Sequence, residues 1–137
     1  ILLVTTPEPT SITDAYTLLK ALSRHNRFSS ESTKIKVLSN RVESLEEGRT
    51  LFSKLNAVVS RYLKLPIEYL GAVPQDAELS RSVMQQTPVS INSPKAISTK
   101  AYEEIAGILM NKEIHQTVPK RGMAAFFSHI VAGKKSV

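Results

Sequence analysis

Apolar and polar positions in this chain fall into short unbroken runs that alternate with longer stretches of helical period. Residues 1–6 are apolar and β-branched without a polar interruption, which suits a strand buried on both faces of a parallel sheet. Pro7 and Pro9 stop that run. Thr10 or Ser11 is placed to cap a helix whose apolar side repeats at Ile12, Ala15, Leu18, Leu19 and Leu22. A polar, serine-rich loop over 24–33 follows, and then a β-prone run over 34–41 that ends at Asn40 and Arg41. Ser44 and Glu47 have capping-box spacing and open the strongest helical signal in the chain. Its stripe is Leu51, Phe52, Leu55, Val58, Val59 and Tyr62, and Gly48 on the same face predicts a close approach to the sheet. Pro66 ends this helix, and a third strand over 67–73 stops at Pro74.

Beyond Asp76 a shorter helix is expected to about Gln85, with Leu79, Val83 and Met84 as its apolar residues. Thr87 to Val89 reads as extended, because proline disfavours helix in the residue before it. Ser93 and Pro94 read as cap and first residue of a helix with its face at Ile97, Ala101, Ile105, Ile108 and Leu109. A linker over 113–119 then leads to a short amphipathic helix over 122–132, apolar at Met123, Phe126, Phe127, Ile130 and Val131. The order β-α-β-α-β-α-α predicts an α/β fold. It reads as the C-terminal half of a doubly wound, mainly parallel sheet with three strands and about four helices over 1–112, followed by a tail over 113–137. Parallel strands put all three polar ends on one rim, where open α/β sheets bind ligands.

Composition narrows the choice. The chain has 137 residues, enough for one domain with its own core. It has no cysteine, so it offers neither a disulfide nor a thiolate metal site, as fits a reducing cytoplasm. No apolar run approaches the roughly 20 residues of a membrane-spanning helix. The net charge of +6 is uneven, since five basic residues and one acid lie from Lys112 onward. A basic tail suits an anionic membrane, an acidic partner, nucleic acid, or plain solubility. Nucleic acid is the weakest of these, for want of a recognition helix or an aromatic stacking platform. The opening on Ile1 in mid-strand predicts a piece of a longer protein.

Chemistry-bearing groups are few. No nucleophile and base stand at catalytic spacing, and His25, His115 and His129 lack metal-ligand spacing and read as surface residues. The five glycines are isolated and form no phosphate-binding loop. Interest therefore falls on the strand ends. A carboxamide such as that of Asn40 pairs with the donor–acceptor edge of adenine, and equally well forms a turn. Asp76, after Pro74, has two readings: a nucleotide contact or the cap of the next helix. Glu8, after Pro7, faces a ligand or partner, or sits where a helix N-terminus favours a carboxylate. The tail helix docks on its own domain, on a partner, or in a membrane interface.

These stretches carry a resemblance. Val4-Thr5-Thr6-Pro7-Glu8-Pro9-Thr10-Ser11-Ile12-Thr13-Asp14-Ala15-Tyr16 resembles a signature of the MinD/ParA-type ATPases, in particular the flagellar number regulators called FlhG, FleN or YlxH. The likeness continues through Ser39-Asn40-Arg41-Val42, Glu47-Gly48, Tyr69-Leu70-Gly71-Ala72-Val73-Pro74-Gln75-Asp76 and Arg121-Gly122-Met123-Ala124-Ala125-Phe126-Phe127. It implies a P-loop ATPase with a deviant Walker A motif that binds ATP with Mg and dimerises around it. Such a protein sits in the cytoplasm and reversibly at the inner face of the cell membrane, where it controls flagellar number and placement. Its implied partners are a second copy, an FlhF-type GTPase, flagellar C-ring components or a flagellar transcriptional activator. By the same resemblance Asn40, Arg41, Pro74 and Asp76 line the nucleotide's base, and Pro7 and Glu8 lie on the nucleotide and dimer face. Met123, Phe126, Phe127, Ile130 and Val131 form the membrane or partner helix. The P-loop, its signature lysine, the switch aspartate and the Walker B strand precede Ile1 in that family, so this stretch alone is expected not to hydrolyse ATP. The alternative is a non-enzymatic α/β module that binds a protein or membrane through its basic tail.

Overall fold

The computed structural model describes residues 1–110. Three strands, β1 (Leu2–Thr5), β2 (Lys36–Val42) and β3 (Glu68–Pro74), form one parallel sheet in the order β1-β2-β3. Five helices follow or connect them: α1 (Pro9–Ser23), α2 (Leu45–Tyr62), α3 (Ala77–Met84), α4 (Val89–Asn92) and α5 (Ile97–Leu109). The α/β class and the parallel half-sheet agree with the sequence pattern. The single turn α4 is additional, because Pro88 stays extended while Val89 already turns helical.

The two faces of the sheet are covered differently. α1 and α2 pack on one face, where Leu3, Leu19, Val37, Leu55 and Val59 form the main core. α5 packs on the other, over Leu38, Leu70 and Val73 through Ile105. On that second face Leu2 and Val4 of the edge strand β1 stay about half exposed.

α2 forms as its sequence dictates. Ser44 Oγ accepts from the Glu47 N–H, and the Glu47 carboxylate accepts in return from the N–H of Glu43. The return bond thus reaches one residue further back than a standard capping box. Gly48 then meets the sheet. A Cβ there would stand 2.8 Å from Ala72 Cβ, 3.1 Å from the Tyr69 hydroxyl and 3.3 Å from Ser39 Cβ. The Ser39 hydroxyl also donates to the Gly48 carbonyl at 2.9 Å, so β2 and α2 are pinned in register. Alanine gains about 1 kcal/mol of helix propensity over glycine, but overpacking a tight layer costs about 1–3 kcal/mol. Gly48→Ala is therefore expected to lower stability by up to about 2 kcal/mol, read as a fall in the urea midpoint without a change in slope.

Three expectations need correction. α1 starts at Pro9 behind Glu8, with no side-chain cap, because Ser11 Oγ is taken by the Thr6 N–H. α5 starts behind Ala96, not at Ser93, because the Ser93 hydroxyl donates to Glu78 and its backbone N–H closes α4. In α3, Val83 and Met84 point outward while Ser82 is fully buried. Asn92 donates to the Ser82 hydroxyl, so a small polar residue takes the inward position against α4.

Candidate functional site

All three strands end on one rim, and the sequence-predicted residues meet there. β2 carries two register shifts against β3, the second between Asn40 and Val42. At that shift Arg41 adopts a left-handed conformation, φ 58°. A non-glycine residue held this way costs on the order of 1 kcal/mol, and such strain gathers at functional sites. The kink turns the Arg41 side chain outward, where its guanidinium reaches Glu8 at 3.7 Å. Both side chains are more than half exposed, so the pair adds little stability. Glu8 is held below the ordinary carboxylate range, chiefly by the Thr6 hydroxyl, with its own backbone N–H and the nearby Arg41 assisting.

Two clefts adjoin at this rim and share Arg41 and Gln75. One, of about 430 Å³, is lined by Pro7, Glu8, Arg41, Glu43, Glu47 and Gln75. The other, of about 390 Å³, is lined by the polar Asn40, Arg41, Gln75, Asp76 and Ser80, by Pro74, and by the apolar Leu79, Val83 and Met84 of α3. Each of the rim residues singled out from the sequence therefore lines one or both clefts. The apolar wall from α3 is not among them. A signal for the wall is present in the chain: the apolar side of a short helix that immediately follows the strand-end turn. Helical period alone assigns that side to the core. Met123, Phe126, Phe127, Ile130 and Val131 lie outside the described residues.

Within the second cleft Asn40 and Asp76 differ. The half-buried Asn40 carboxamide has no side-chain hydrogen bond among the described residues, and both its donor and its acceptor remain to be used. Asp76 is committed. Its Oδ1 accepts from the Glu78 N–H at 2.9 Å and caps α3. Its Oδ2 accepts from the Ser98 N–H at 3.1 Å and the Ser98 hydroxyl at 2.8 Å, which ties down the first turn of α5. These bonds, the backbone N–H of Ser98 foremost, pull its pKa below the usual value. Asp76 thus shapes the cleft as a double cap, and its role as a base contact loses ground to that structural one.

A purine needs apolar contact for its faces and a paired donor and acceptor at its edge. The α3 wall and Asn40 fit that demand. A triphosphate needs several donors or cations, and of the lining residues only Arg41 is cationic, beside Glu8, Glu43 and Glu47. The described residues fit the base of a nucleotide and not its phosphates. No cluster of His, Asp and Glu suited to a metal occurs among them.

Comparison with known proteins bears on the family and the fold. No protein-family profile matches the chain. It is 39% identical over 106 residues to the antiactivator FleN of Pseudomonas aeruginosa, covering 77% of this chain and 36% of FleN. It is 28% identical over 134 residues to the flagellum site-determining protein YlxH of Helicobacter pylori, covering 96% of this chain and 44% of YlxH. The solved MinD cell division protein of Aquifex aeolicus shares the fold, with a TM-score of 0.59 and 24% identity over 82% of this chain and 44% of MinD. The chain thus spans less than half the length of each of these proteins. From these likenesses and the parallel half-sheet, the chain is a MinD/ParA-type protein of the FlhG-like kind.

Proposed function

We propose that this chain is the base-recognising portion of an ATP-dependent regulator of flagellar number and placement, acting as a dimer at the membrane. The observation that supports it most is the cleft at the carboxyl rim, which Asn40, whose carboxamide has no hydrogen-bond partner among the described residues, lines together with the apolar Leu79, Val83 and Met84. Asn40 reads the edge of the adenine and the wall takes one face of the ring. Arg41 and Glu8, at the mouth, form the nucleotide and dimer face together with Pro7. The phosphates, their Mg ion and the hydrolytic step fall to residues outside this stretch, so the chain alone binds nucleotide weakly and does not turn it over. Bound ATP would supply the charge that a second copy closes around. A flagellar GTPase, C-ring components or a transcriptional activator are its partners on this reading, and the tail over 113–137 is its membrane attachment.

The test is ATP affinity, measured by calorimetry on the protein that contains this chain. Asn40→Ala is expected to weaken ATP by roughly 10- to 100-fold, the worth of one paired recognition at about 1–3 kcal/mol. Its melting temperature should stay within about 2 °C, because the carboxamide holds nothing else among the described residues. Unchanged affinity in the variant would remove Asn40 from the site, and no affinity in the parent would leave a non-enzymatic interaction module.

A further inference from the structure

β3 is an edge strand. It pairs with β2 on one side and with nothing on the other among the described residues. The N–H groups of Glu68 and of Gln75, just past its end, donate inward to Ile35 and Val42 at 2.9 Å and 2.8 Å. A strand with one neighbour leaves about half of its N–H and C=O groups unused. Beyond the ladder with β2, no hydrogen bond reaches the backbone of residues 69–73 among the described residues. Such edges are commonly blunted by a charged side chain or a proline. Tyr69-Leu70-Gly71-Ala72-Val73 holds neither, and its irregularity is Leu70, which the ladder skips between Tyr69 and Gly71.

This edge opens into a slot with a wall on each face of the sheet. Leu45 and Arg49 of α2 form one wall, Ile105 and Ile108 of α5 the other, and Tyr69 to Ala72 lie between. The slot has a volume of about 210 Å³, room for aliphatic side chains. Leu45 is 58% exposed and Ile108 38% exposed, so each wall carries apolar surface that the domain's own core leaves uncovered. The β1 edge has no such slot, since the cleft beside it is walled by α1 alone. The crossover geometry bears on what fills the slot at β3. α1 and α2 cross over on one face of the sheet, and α5 lies on the other. A parallel strand laid outside β3 directly after α5 would make a crossover of the hand opposite to those two. Parallel crossovers keep one hand in about 98% of cases. The slot therefore calls for a strand from another molecule.

We propose that the outer edge of β3 is a docking site for an extended segment of a partner protein, added to the sheet as a further strand. Main-chain hydrogen bonds hold such a segment, and its alternate side chains select it. Side chains directed to the α5 wall are aliphatic, because Ile105 and Ile108 line that wall and Glu104 beside them disfavours an acid. Those directed to the α2 wall are acidic, opposite the exposed Arg49. Lipid and nucleic acid offer no ladder of backbone donors and acceptors. The site lies along the side of the sheet, so a nucleotide and a second copy at the carboxyl rim leave it open. It stands independently of the nucleotide reading.

The test is calorimetric titration of the protein that contains this chain with a synthetic peptide of alternating valine and glutamate. The peptide is expected to bind. Its fully N-methylated twin, which has no backbone N–H to donate, should bind at least about 10-fold more weakly. Arg49→Glu should weaken the valine–glutamate peptide about 3-fold and turn the preference toward a valine–lysine counterpart. Circular dichroism of that variant should match the parent. Ile108→Asp should weaken both peptides. A twin that binds as well as its parent peptide would mean that the slot takes side chains without a strand, and would overturn the proposal. No binding of the valine–glutamate peptide at about 1 mM would overturn it too. Binding gained only when residues 111–137 are removed would assign the edge to the chain's own continuation. Self-association that the peptide disperses would assign it to a second copy. Either result overturns the proposal.

Discussion

Leu55→Ala is expected to lower the stability of the domain by about 3 kcal/mol, and its melting midpoint by on the order of 10 °C. Leu55 is 1% exposed and sits in the middle of α2, within the core that also holds Leu19, Val37 and Val59. Truncation removes the branched end of the side chain and leaves a hole. The hole does not close, because α2 is fixed to the sheet at Gly48 and at the Ser39 hydroxyl, so the helix cannot move inward. For that reason the loss should fall inside the roughly 2–5 kcal/mol range of such truncations and away from its lower limit. Total stabilities are about 5–15 kcal/mol, so the variant should lose roughly a fifth to a half of the total. Thermal unfolding followed by far-UV circular dichroism checks this. A midpoint within about 3 °C of the parent would mean that α2 is free to settle, contrary to the contacts at Gly48.

Asp76→Ala should cost about 2–3 kcal/mol, by a different route. A helix cap contributes about 1 kcal/mol, and hydrogen bonds to a charged group about 1.5–3 kcal/mol before solvent exposure reduces them. One carboxylate here serves two helices, so its removal frees the start of α3 and the start of α5 together. Asp76→Asn separates the contributions: its amide oxygen still accepts at α3, while its NH2 group meets the N–H of Ser98 and cannot accept from it. The parent should also show an acid signature. The folded pKa of Asp76 lies below its ordinary 3.8, so the unfolded chain takes up the proton first. The stabilisation is complete above that value and is lost as pH falls below it through the folded pKa. Urea midpoints measured from pH 5 downward should therefore fall more steeply for the parent than for Asp76→Asn. Parallel curves would show that the carboxylate contributes no charge-dependent stability. ATP affinity in Asp76→Asn supplies a second readout, expected to change only modestly, since Asp76 shapes the cleft through its caps.

The elements whose local chemistry and tertiary role coincide were legible from the chain. α2 is the clearest case: cap, acidic first turn, apolar stripe and a glycine at the sheet contact all agree. The strand-end rim was legible for the same reason, because proline and polar residues closing a buried run have few other uses. Legibility failed where an apolar residue serves a surface. Val83 and Met84 have the spacing of core residues, yet the core position belongs to Ser82, whose hydroxyl accepts from Asn92. Periodicity does not distinguish a wall facing a cleft from a wall facing the interior. The start of α5 failed because Ser93 and Pro94 have the local chemistry of a cap, while Glu78, fifteen positions earlier, claims the Ser93 hydroxyl. Such competition between distant residues leaves no local trace.

The register of the sheet has a consequence for how the chain reaches this fold. β1 pairs Leu2 with Lys36, and β2 pairs Lys36 with Glu68, so each pairing joins positions more than thirty residues apart. No hairpin exists to seed either one, and the loop-closure entropy must be met before any ladder bond forms. The helix inside each crossover shortens the effective loop only if it is already wound. α2, with its cap and its long stripe, is suited to that task, and α1, whose cap side chain is missing, is less so. The unit β2-α2-β3 is thus the natural nucleus among the described elements, and β1 pairs with β2 after it.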